Sequence, residues 1–151
     1  MTLNFRQAVG ILILNTENKI VAFQRADFPE SWQAPEGGID NNETPQEAME
    51  REVYEEIGLK KEDYTILQRG SKAFTYLFKD GKENHFGFDG QSKLFFLIKL
   101  NKEVQFKYYI MEEEIEFCDH KVLEKAKDLL NFVPDFKKEL YKNVLTDFKL
   151  I

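Results

Sequence analysis

A short acidic helix with both ends specified by the sequence is the feature that most constrains the fold of this 151-residue chain. Thr44 can cap the first turn, Pro45 suits the first helical position, and Glu47 completes a capping box with Thr44. Gly58 supplies a natural stop, because glycine readily adopts the left-handed conformation at a helix end. Apolar residues recur between these ends at a spacing of four, at Met49, Val53 and Ile57. The sequence therefore predicts an amphipathic helix that packs one apolar stripe on a sheet.

Short apolar runs bounded by turn residues lie on both sides of this helix and indicate strands. Residues 8–14 and 20–23 predict a strand, turn, strand unit, followed by a loop rich in Pro and Gly over 27–38. Further strands are predicted over 73–78, 93–100, 104–110 and 115–122. Helices are predicted over 123–130 and 134–148. The combination favours an α/β fold with a mixed β-sheet.

The composition is that of one domain spanning residues 1–151. The chain is 42% hydrophobic and contains 14 Phe, which supplies enough apolar surface for a single core. Its single cysteine, Cys118, cannot form an internal disulfide or a paired-thiolate metal site. We therefore expect a reducing, cytoplasmic setting.

The N-terminus and the overall charge exclude two further classes. The first 19 residues contain only a short apolar run, so we expect neither a secretory signal nor a membrane span. The formal net charge of −6 disfavours broad adhesion to nucleic acid, because such binding requires many Lys and Arg side chains to neutralise phosphates. A small anionic substrate remains compatible with this charge if local cations mask the repulsion.

Three carboxylates fall on one side of the predicted helix, beside its apolar stripe. On a helical wheel of this segment, Met49 is set at 0° and each residue advances by about 100°. Glu56, Glu52 and Glu55 then lie at roughly 340°, 300° and 240°, and the small Ala48 lies among them at roughly 260°. Clustered carboxylates repel one another, and keeping them ionised near a packed surface is costly without a counter-charge.

A hard divalent cation would supply that counter-charge. Mg²⁺ suits an all-oxygen site that keeps several waters and accepts phosphate oxygens, and Mn²⁺ is the expected substitute. The helix alone leaves open the alternative of a solvated acidic face, which is the usual role of a Glu-rich helix.

The segment around the helix carries a longer pattern. Residues 37–59, GGIDNNETPQEAMEREVYEEIGL, read as G-x5-E-x7-R-E-V-x-E-E-x-G-L without a mismatch. This segment resembles the Nudix box of the Nudix hydrolase family at every specified position. Fixed residues at fixed spacing are a far more specific signal than a lone acidic helix. The resemblance implies a Nudix-type α/β/α sandwich with a mixed β-sheet and a catalytic loop–helix–loop.

The resemblance assigns the glutamates of the helix to the metal. Glu52, Glu55 and Glu56 match the family's metal-binding glutamates and are candidate catalytic residues. Gly37 and Gly38 match glycines whose backbone approaches the metals or phosphates. Both glycines are therefore candidate substrate-binding residues, and Gly37 is also a candidate metal ligand.

Arg51 and Glu43 match the pair that braces the loop–helix–loop. Arg51 lies at roughly 200° on the wheel, beside Glu55, where it can orient that carboxylate and offset local negative charge. We therefore include Arg51 among the candidate catalytic residues. The expected reaction is attack of water on a phosphorus atom, with metals activating the water. The general base stays open between Glu52, Glu56 and an acid outside the box.

Segments outside the box resemble bacterial RNA pyrophosphohydrolases and the related asymmetric dinucleoside tetraphosphate hydrolases. Residues 31–39 look like their WQxPQGGI segment, and Gly90-Gln91 followed by KLFFLIKL looks like their GQ-plus-strand segment. Glu116-Phe117 resembles the Glu-Phe pair that places a late metal-binding or base glutamate. Glu116 is therefore a further candidate metal ligand and a candidate catalytic residue that could act as general base.

The same resemblance identifies candidate substrate contacts. Arg6 matches an N-terminal arginine that contacts the substrate's phosphates, and Arg25 matches the first arginine of a pair found in that branch. Lys137 belongs to a segment that resembles their C-terminal FKR-x-x-Y helix. One of Phe74, Tyr76 or Phe86 is expected to stack on a nucleobase, with Tyr76 as the candidate carried forward.

Several positions depart from the pattern of that branch. Glu36 stands where Gln is usual and Ala34 where Phe is usual, and Ala26 replaces a second arginine after Arg25. The aromatic residues expected after Glu116-Phe117 are replaced by Cys118-Asp119-His120. These departures weaken the case for RNA as the specific substrate, but none of them touches the acidic box.

Other charged groups have plainer interpretations. His85 and His120 lack metal-ligand spacing and are expected in ordinary surface or loop roles. The run Glu112-Glu113-Glu114 is expected to be a solvated turn.

The resemblance implies a Mg²⁺-dependent pyrophosphohydrolase. Its expected substrates are triphosphorylated or diphosphorylated RNA 5′ ends, or dinucleoside polyphosphates. A pyrophosphatase for free nucleoside triphosphates and a non-enzymatic nucleotide-sensing module remain as alternatives, although the intact acids of the box favour an enzyme. We expect a nucleotide or RNA 5′ end as partner, no stable nucleic-acid complex, no membrane, and a monomer or small homo-oligomer.

Overall fold

The computed structural model describes residues 2–78, 87–111 and 115–151, which form a mixed β-sheet with a helix on each face. The two helices are α1 (Pro45–Ile57) and α2 (Lys138–Asp147). The strands are β1 (Phe5–Leu14), β2 (Ile20–Arg25), β3 (Trp32–Gln33), β4 (Glu36–Gly38), β5 (Tyr64–Arg69), β6 (Phe74–Leu77), β7 (Gly90–Leu100) and β8 (Phe117–Val122). This arrangement confirms the predicted α/β class with its mixed sheet.

The long strands β1 and β7 form the centre of the sheet. They run parallel over a register from Phe5 opposite Gly90 to Leu14 opposite Lys99. The other pairings are antiparallel, with the order β3-β2-β1-β7-β5 and with β4 on β1, β6 on β7 and β8 on β2. Parallel strands need a long crossover, and α1 lies within the connection from β1 to β7.

Two apolar layers follow from the alternation of side chains along these strands. One set of residues faces α1 and the other set faces α2. On β1 and β7, the first layer contains Val9, Ile11, Ile13, Leu94, Phe96, Ile98 and Leu100. The second layer contains Leu12, Leu14, Phe95 and Leu97, together with Leu140, Tyr141 and Val144 of α2. Burial on both faces explains why these strands are nearly continuous apolar runs.

The acidic helix α1 begins and ends where the sequence predicts. The Thr44 hydroxyl accepts a hydrogen bond from the Glu47 backbone N–H at 3.1 Å, and the Glu47 carboxylate accepts from the Thr44 N–H at 3.0 Å. At the other end Gly58 adopts a positive φ of 76° and its N–H donates to the Tyr54 carbonyl at 2.9 Å. The apolar stripe of α1 is fully buried against the sheet.

The prediction of a strand over residues 104–110 is wrong. This segment passes the C-terminal end of α1, where the Lys107 N–H donates to the Ile57 carbonyl at 3.0 Å instead of to a neighbouring strand. Its apolar residues still pack on the core, since Val104, Phe106 and Tyr108 contact the layer beneath α1. Apolar alternation therefore arose here from packing along a helix end.

Two C-terminal helices differ from their predicted form. Residues 123–130 contain a 3-10 helix over Ala126–Asn131 instead of an α-helix. The predicted helix over 134–148 divides into a 3-10 turn at Asp135–Lys137 and α2. Strand β5 was not predicted, because only one of its six residues is buried and the apolar pattern is correspondingly weak.

Some of the sequence-based expectations fall on residues that the structure does not describe. His85, Phe86 and the run Glu112-Glu113-Glu114 lie outside the described residues. Within the described ranges, neither helix has the length and hydrophobicity to traverse a lipid bilayer.

Candidate active site

The three candidate metal-binding glutamates share one side of α1, next to the buried stripe. Glu52 is only 7% exposed, although it carries a carboxyl group. Glu56 is half-buried, and its Oε2 atom is enclosed without a hydrogen-bond partner among the residues described. Glu55 is more open to solvent. Burial of two neighbouring carboxyl groups at a packed surface is energetically unfavourable unless something compensates their charge.

The pKa values of Glu52 and Glu56 show the effect of burying these two neighbouring carboxyl groups. Burial raises the pKa of Glu56 well above its ordinary value, and the neighbouring carboxyl group of Glu52 raises it further. Burial also raises the pKa of Glu52, against the opposing effect of hydrogen bonds from its neighbours. The two groups therefore retain a proton more readily than isolated carboxyl groups do.

Arg51 connects the acidic helix face to the loop that precedes α1. Its guanidinium group lies 2.8 Å from Glu43, 2.9 Å from Glu52 and 3.3 Å from Glu55. Its Nη2 atom also donates to the Gly38 carbonyl at 2.9 Å. The hydrogen bond with Glu43 is the main cause of a raised Arg51 pKa, so the side chain stays charged. The predicted contacts of Arg51 with Glu43 and Glu55 are both present.

Strand β4 approaches the acidic cluster closely because it lacks side chains at its last two positions. A Cβ atom at Gly37 would overlap the carboxyl group of Glu52. A Cβ atom at Gly38 would overlap the guanidinium group of Arg6. A side chain at either position would therefore have to displace the end of the Glu52 or the Arg6 side chain, and both glycines lie beside the acidic cluster.

The donor set fits a divalent metal in its chemistry. It offers carboxylate oxygens, including the unpartnered Glu56 Oε2, and the raised pKa values of Glu52 and Glu56 mark a place where positive charge would be stabilising. In the described residues, no group of three or more His, Cys, Asp and Glu side chains is arranged as a ready-made metal site. Arg51 instead binds two of the carboxylates.

The acidic cluster opens into a cavity of about 310 Å³. Beside it lies a larger cavity of about 670 Å³. Four residues line both cavities: Arg6, Glu36, Gly37 and Glu116. The two cavities therefore meet at β4, and Arg6 and Glu116 also border that junction.

Cations and aromatic rings line the larger cavity. The cations are Arg6, Arg25, Lys93 and Lys137, and the rings include Phe28, Tyr76, Phe88 and Phe136. Phe136 is 39% exposed, so its ring is available at the cavity mouth. The same cavity is lined by four carboxylates, those of Asp27, Glu36, Glu116 and Asp135, so an anion would meet both signs of charge there. The rings offer flat apolar surfaces to a planar group.

Arg25 lies at an irregularity in the pairing of β2 with β8. Gln24 is opposite Asp119 and Arg25 is opposite Phe117, so Cys118 of β8 is the extra residue. The Arg25 guanidinium group then binds both carboxylate oxygens of Asp27, at 2.8 and 2.7 Å. Arg25 also lies close enough to Glu116 and Glu56 for their charges to raise its pKa, after the larger effect of Asp27.

Lys137 and Tyr76, the remaining predicted substrate contacts, both line the larger cavity. Lys137 is buried and donates a hydrogen bond to the Glu36 carboxylate at 2.8 Å. The Tyr76 hydroxyl donates to the Gln91 side-chain oxygen at 3.0 Å. Phe74, the other described candidate for stacking, packs like Tyr76 against the apolar layer beneath α2 but lines neither cavity.

The sequence analysis did not identify Lys93 or Met111. Lys93 is 2% exposed, and its ammonium group contacts the Glu36 carboxylate within the cavity wall. A signal was available, because Lys93 shares a strand face with two buried residues, Phe95 and Leu97, where a lysine needs a partner. Met111 lines the acidic cavity, and no local pattern in the sequence marks it.

Comparison with known proteins gives relatives along nearly the whole chain. The family model described as NUDIX domain matches residues 4–143. An RNA pyrophosphohydrolase of Nitratiruptor sp. is 39% identical, with 96% of this chain and 94% of that protein covered. An RNA pyrophosphohydrolase of Helicobacter pylori is 32% identical, with the same coverage of 96% and 94%.

Solved structures share the fold at lower sequence identity. The E. coli dihydroneopterin triphosphate pyrophosphohydrolase superimposes with a TM-score of 0.74 at 18% identity, covering 97% of this chain and 99% of that chain. A C. elegans Ap4A hydrolase gives a TM-score of 0.66 at 22% identity, covering 95% and 99%. At these identities the likeness concerns the fold alone. Together, the matched domain, the curated relatives and the intact acidic box establish that this chain belongs to the Nudix hydrolase family.

Proposed function

We propose that this chain hydrolyses phosphoanhydride bonds at the triphosphorylated or diphosphorylated 5′ end of RNA, with dinucleoside polyphosphates as related substrates. The observation that carries the proposal is that an acidic cavity meets a larger one, which contains arginines, lysines and aromatic rings, at four shared residues: Arg6, Glu36, Gly37 and Glu116. A polyphosphate could span this junction, with its reacting phosphorus beside the glutamates and its nucleoside beside the aromatic rings.

The choice of substrate class is supported by the relatives. Proteins named RNA pyrophosphohydrolase match nearly the whole chain at 32% to 39% identity. The larger cavity is also of suitable size, because ligand pockets commonly enclose about 300–1,000 Å³.

Nudix hydrolases use a divalent metal, and we assign Mg²⁺ here, with Mn²⁺ as a substitute. Glu52, Glu55, Glu56, Glu116 and the backbone of Gly37 would hold it. When bound, the metal would activate water and screen negative charge on the phosphate oxygens.

The chain's own residues have separate tasks in this proposal. Arg6 and Arg25 bind phosphate oxygens, and both cations already line the larger cavity. Arg51 orients Glu52 and Glu55 through its guanidinium contacts. Tyr76 offers its ring to the nucleobase. Gly38 keeps the backbone accessible, since it leaves space for Arg6.

A proton must leave the attacking water, and the acidic cavity supplies acceptors for it. Glu52, Glu56 and Glu116 all line that cavity. A raised carboxyl pKa makes a stronger base once the group is ionised, which favours Glu52 or Glu56 over an ordinary carboxylate. Glu116 remains a candidate because it borders both cavities.

The proposal is tested by comparing purified protein on triphosphorylated RNA, diadenosine tetraphosphate and a panel of free nucleoside triphosphates, each with Mg²⁺. We expect the highest kcat/KM on RNA, with monophosphorylated RNA as a product. Preference for a free nucleotide would replace the proposal with the house-cleaning pyrophosphatase. Binding of nucleotide without turnover of any substrate would favour a sensing module.

A further inference from the structure

A single buried carboxylate, Glu36, gathers three donors in the wall between the two cavities. The Lys93 ammonium group contacts Glu36 Oε1, and the Lys137 ammonium group donates to the same oxygen at 2.8 Å. The Tyr141 hydroxyl donates to the other oxygen, Oε2. The Glu36 side chain is only 5% exposed. Glu36 therefore connects four segments of the chain at one point.

Each donor comes from a different element. Glu36 begins β4, Lys93 lies on β7, Lys137 ends the 3-10 turn before α2, and Tyr141 lies within α2. The next residue after Glu36 is Gly37, against which the Glu52 carboxyl group packs. The Glu36 cluster thus joins the basic wall of the larger cavity directly to the acidic helix face.

The charges of this cluster depend on Glu36. Burial lowers the pKa of Lys93 well below its ordinary value, and the nearby charge of Lys137 lowers it further. Glu36 is the carboxylate in contact with both ammonium groups, so it favours their charged forms against this effect of burial. A neutral side chain at position 36 would remove that counter-charge from both.

Lys137 is the member of the cluster that the sequence predicts to contact the substrate. It lines the cavity that Arg6 and Arg25 also line. A lysine carries a compact charge on a flexible stem, so fixing it in advance removes an entropic cost from ligand binding. The ion pair with Glu36 fixes it.

We propose that Glu36 is a positioning residue that sets the affinity for the substrate's phosphates by holding Lys137 at the wall of the larger cavity. This inference rests on the proposed function, because it assumes that a polyphosphate occupies the junction. Glu36 acts through Lys137 and takes no part in the chemical step.

The test is a kinetic cycle around Glu36, Lys93 and Lys137. The double variant Glu36→Gln with Lys93→Gln replaces a buried ion pair by a neutral, hydrogen-bonding pair without changing the net charge. We expect KM for the preferred polyphosphate to rise about fivefold to tenfold while kcat stays within about twofold. Lys137→Gln alone should raise KM by a similar factor. In the Lys137→Gln background, the double substitution should add no further change.

Three results of this cycle would overturn the inference. One is an unchanged KM in the double variant, which would leave Glu36 with a structural role only. Another is an equal rise of KM with and without Lys137, since Glu36 would then not act through that residue. The third is a loss of kcat accompanied by a lower melting temperature, which would likewise indicate a structural role.

A second variant keeps the inference testable if the double variant does not fold. Glu36→Asp keeps the counter-charge for Lys93 but shortens the side chain by one methylene, so it should raise KM with little loss of stability. A wild-type KM in this variant would contradict the inference. Glu124→Gln is the matched control, because Glu124 is a surface partner of Lys19 away from both cavities. Wild-type protein without activity on any polyphosphate would instead refute the proposed function.

Discussion

The enclosed carboxyl group of Glu56 is the most strongly perturbed acid on α1. One of its oxygens is buried without a partner in the described part of the chain, and burial raises its pKa. A glutamine at this position has nearly the same shape but can neither ionise nor accept the proton of water. Its chemistry can therefore be separated from its packing.

Glu56→Gln should leave the protein folded and reduce Mg²⁺-stimulated hydrolysis by at least about a hundredfold, because general-base catalysis alone typically contributes that much. The measurement is kcat with the preferred substrate at saturating Mg²⁺. Glu50→Gln is the matched control on the same helix, since Glu50 faces Lys61 at 3.6 Å and lines neither cavity. Equal rates for both variants and wild type would remove Glu56 from the metal site.

Glu43 contributes to the stability of the fold, because its carboxylate is paired with the Arg51 guanidinium group. The hydrogen bond from Arg51 holds the pKa of Glu43 below its ordinary value of 4.5. A lower pKa in the folded state means that the ionised form stabilises the fold above about pH 4.5, and that this stability is lost as the pH falls through the folded pKa.

Glu43→Gln should therefore lower the free energy of unfolding by about 1 kcal/mol at pH 7, which is modest because the Arg51 side chain is partly solvated. The difference from wild type should shrink as the pH is lowered toward about 3. Urea denaturation at a series of pH values measures both quantities. A difference that is independent of pH would show that charge pairing is not the cause.

At the scale of the element, α1 owes its start to side-chain capping. The reciprocal bonds between Thr44 and Glu47 satisfy backbone N–H groups that the first turn leaves without partners. Thr44→Ala removes the capping hydroxyl and should destabilise the protein by about 1 kcal/mol. Thr44→Ser keeps the hydroxyl and should stay close to wild type. Equal melting temperatures for the Ala and Ser variants would contradict a capping role.

The elements that sequence reasoning predicted correctly are those whose determinants are local. Helix α1 carries its cap, its stop and its apolar spacing within residues 44–58, and its bounds were predicted accordingly. Strands β1 and β7 were recognised over residues 8–14 and 93–100, where burial on both faces makes most residues apolar, whereas the first three residues of each strand were not included. Residues 104–110 show the converse, since their apolar residues pack beside the end of α1 without pairing as a strand.

The site was predictable to the extent that it lies within one continuous segment. The acidic box gave Arg51, Glu52, Glu55 and Glu56 together, and the structure brings their side chains into contact or onto one cavity. The Glu36 cluster could not be predicted, because residues 36, 93, 137 and 141 meet only through sheet pairing and the packing of α2. Long-range contacts of this kind leave no spacing in the sequence.

At the scale of the whole molecule, the charge distribution is uneven. The chain has a formal net charge of −6, yet four cations line the larger cavity. Four carboxylates, Asp27, Glu36, Glu116 and Asp135, line the same cavity and balance the formal charge of these cations. The net negative charge therefore lies outside the cavity, on the surface that a long polyanion would have to approach.

RNA with a 5′-hydroxyl end should consequently bind weakly, with a dissociation constant above about 10 µM at roughly 0.1 M salt. Fluorescence anisotropy with labelled 5′-hydroxyl and 5′-triphosphate RNA of the same sequence measures the difference, using the Glu56→Gln variant to prevent turnover. Submicromolar binding of the 5′-hydroxyl RNA with a steep salt dependence would contradict this prediction and indicate an extended nucleic-acid surface.

The parallel pairing of β1 with β7 affects the nascent chain during its synthesis on the ribosome. Strand β1 is synthesised first, whereas its central partner begins only at Gly90. At ordinary translation speeds, synthesis of β7 begins on the order of ten seconds after that of β1. During this interval one edge of β1 lacks its native partner strand. Chaperone binding to unfinished chains, or their aggregation, would therefore occur at this stage.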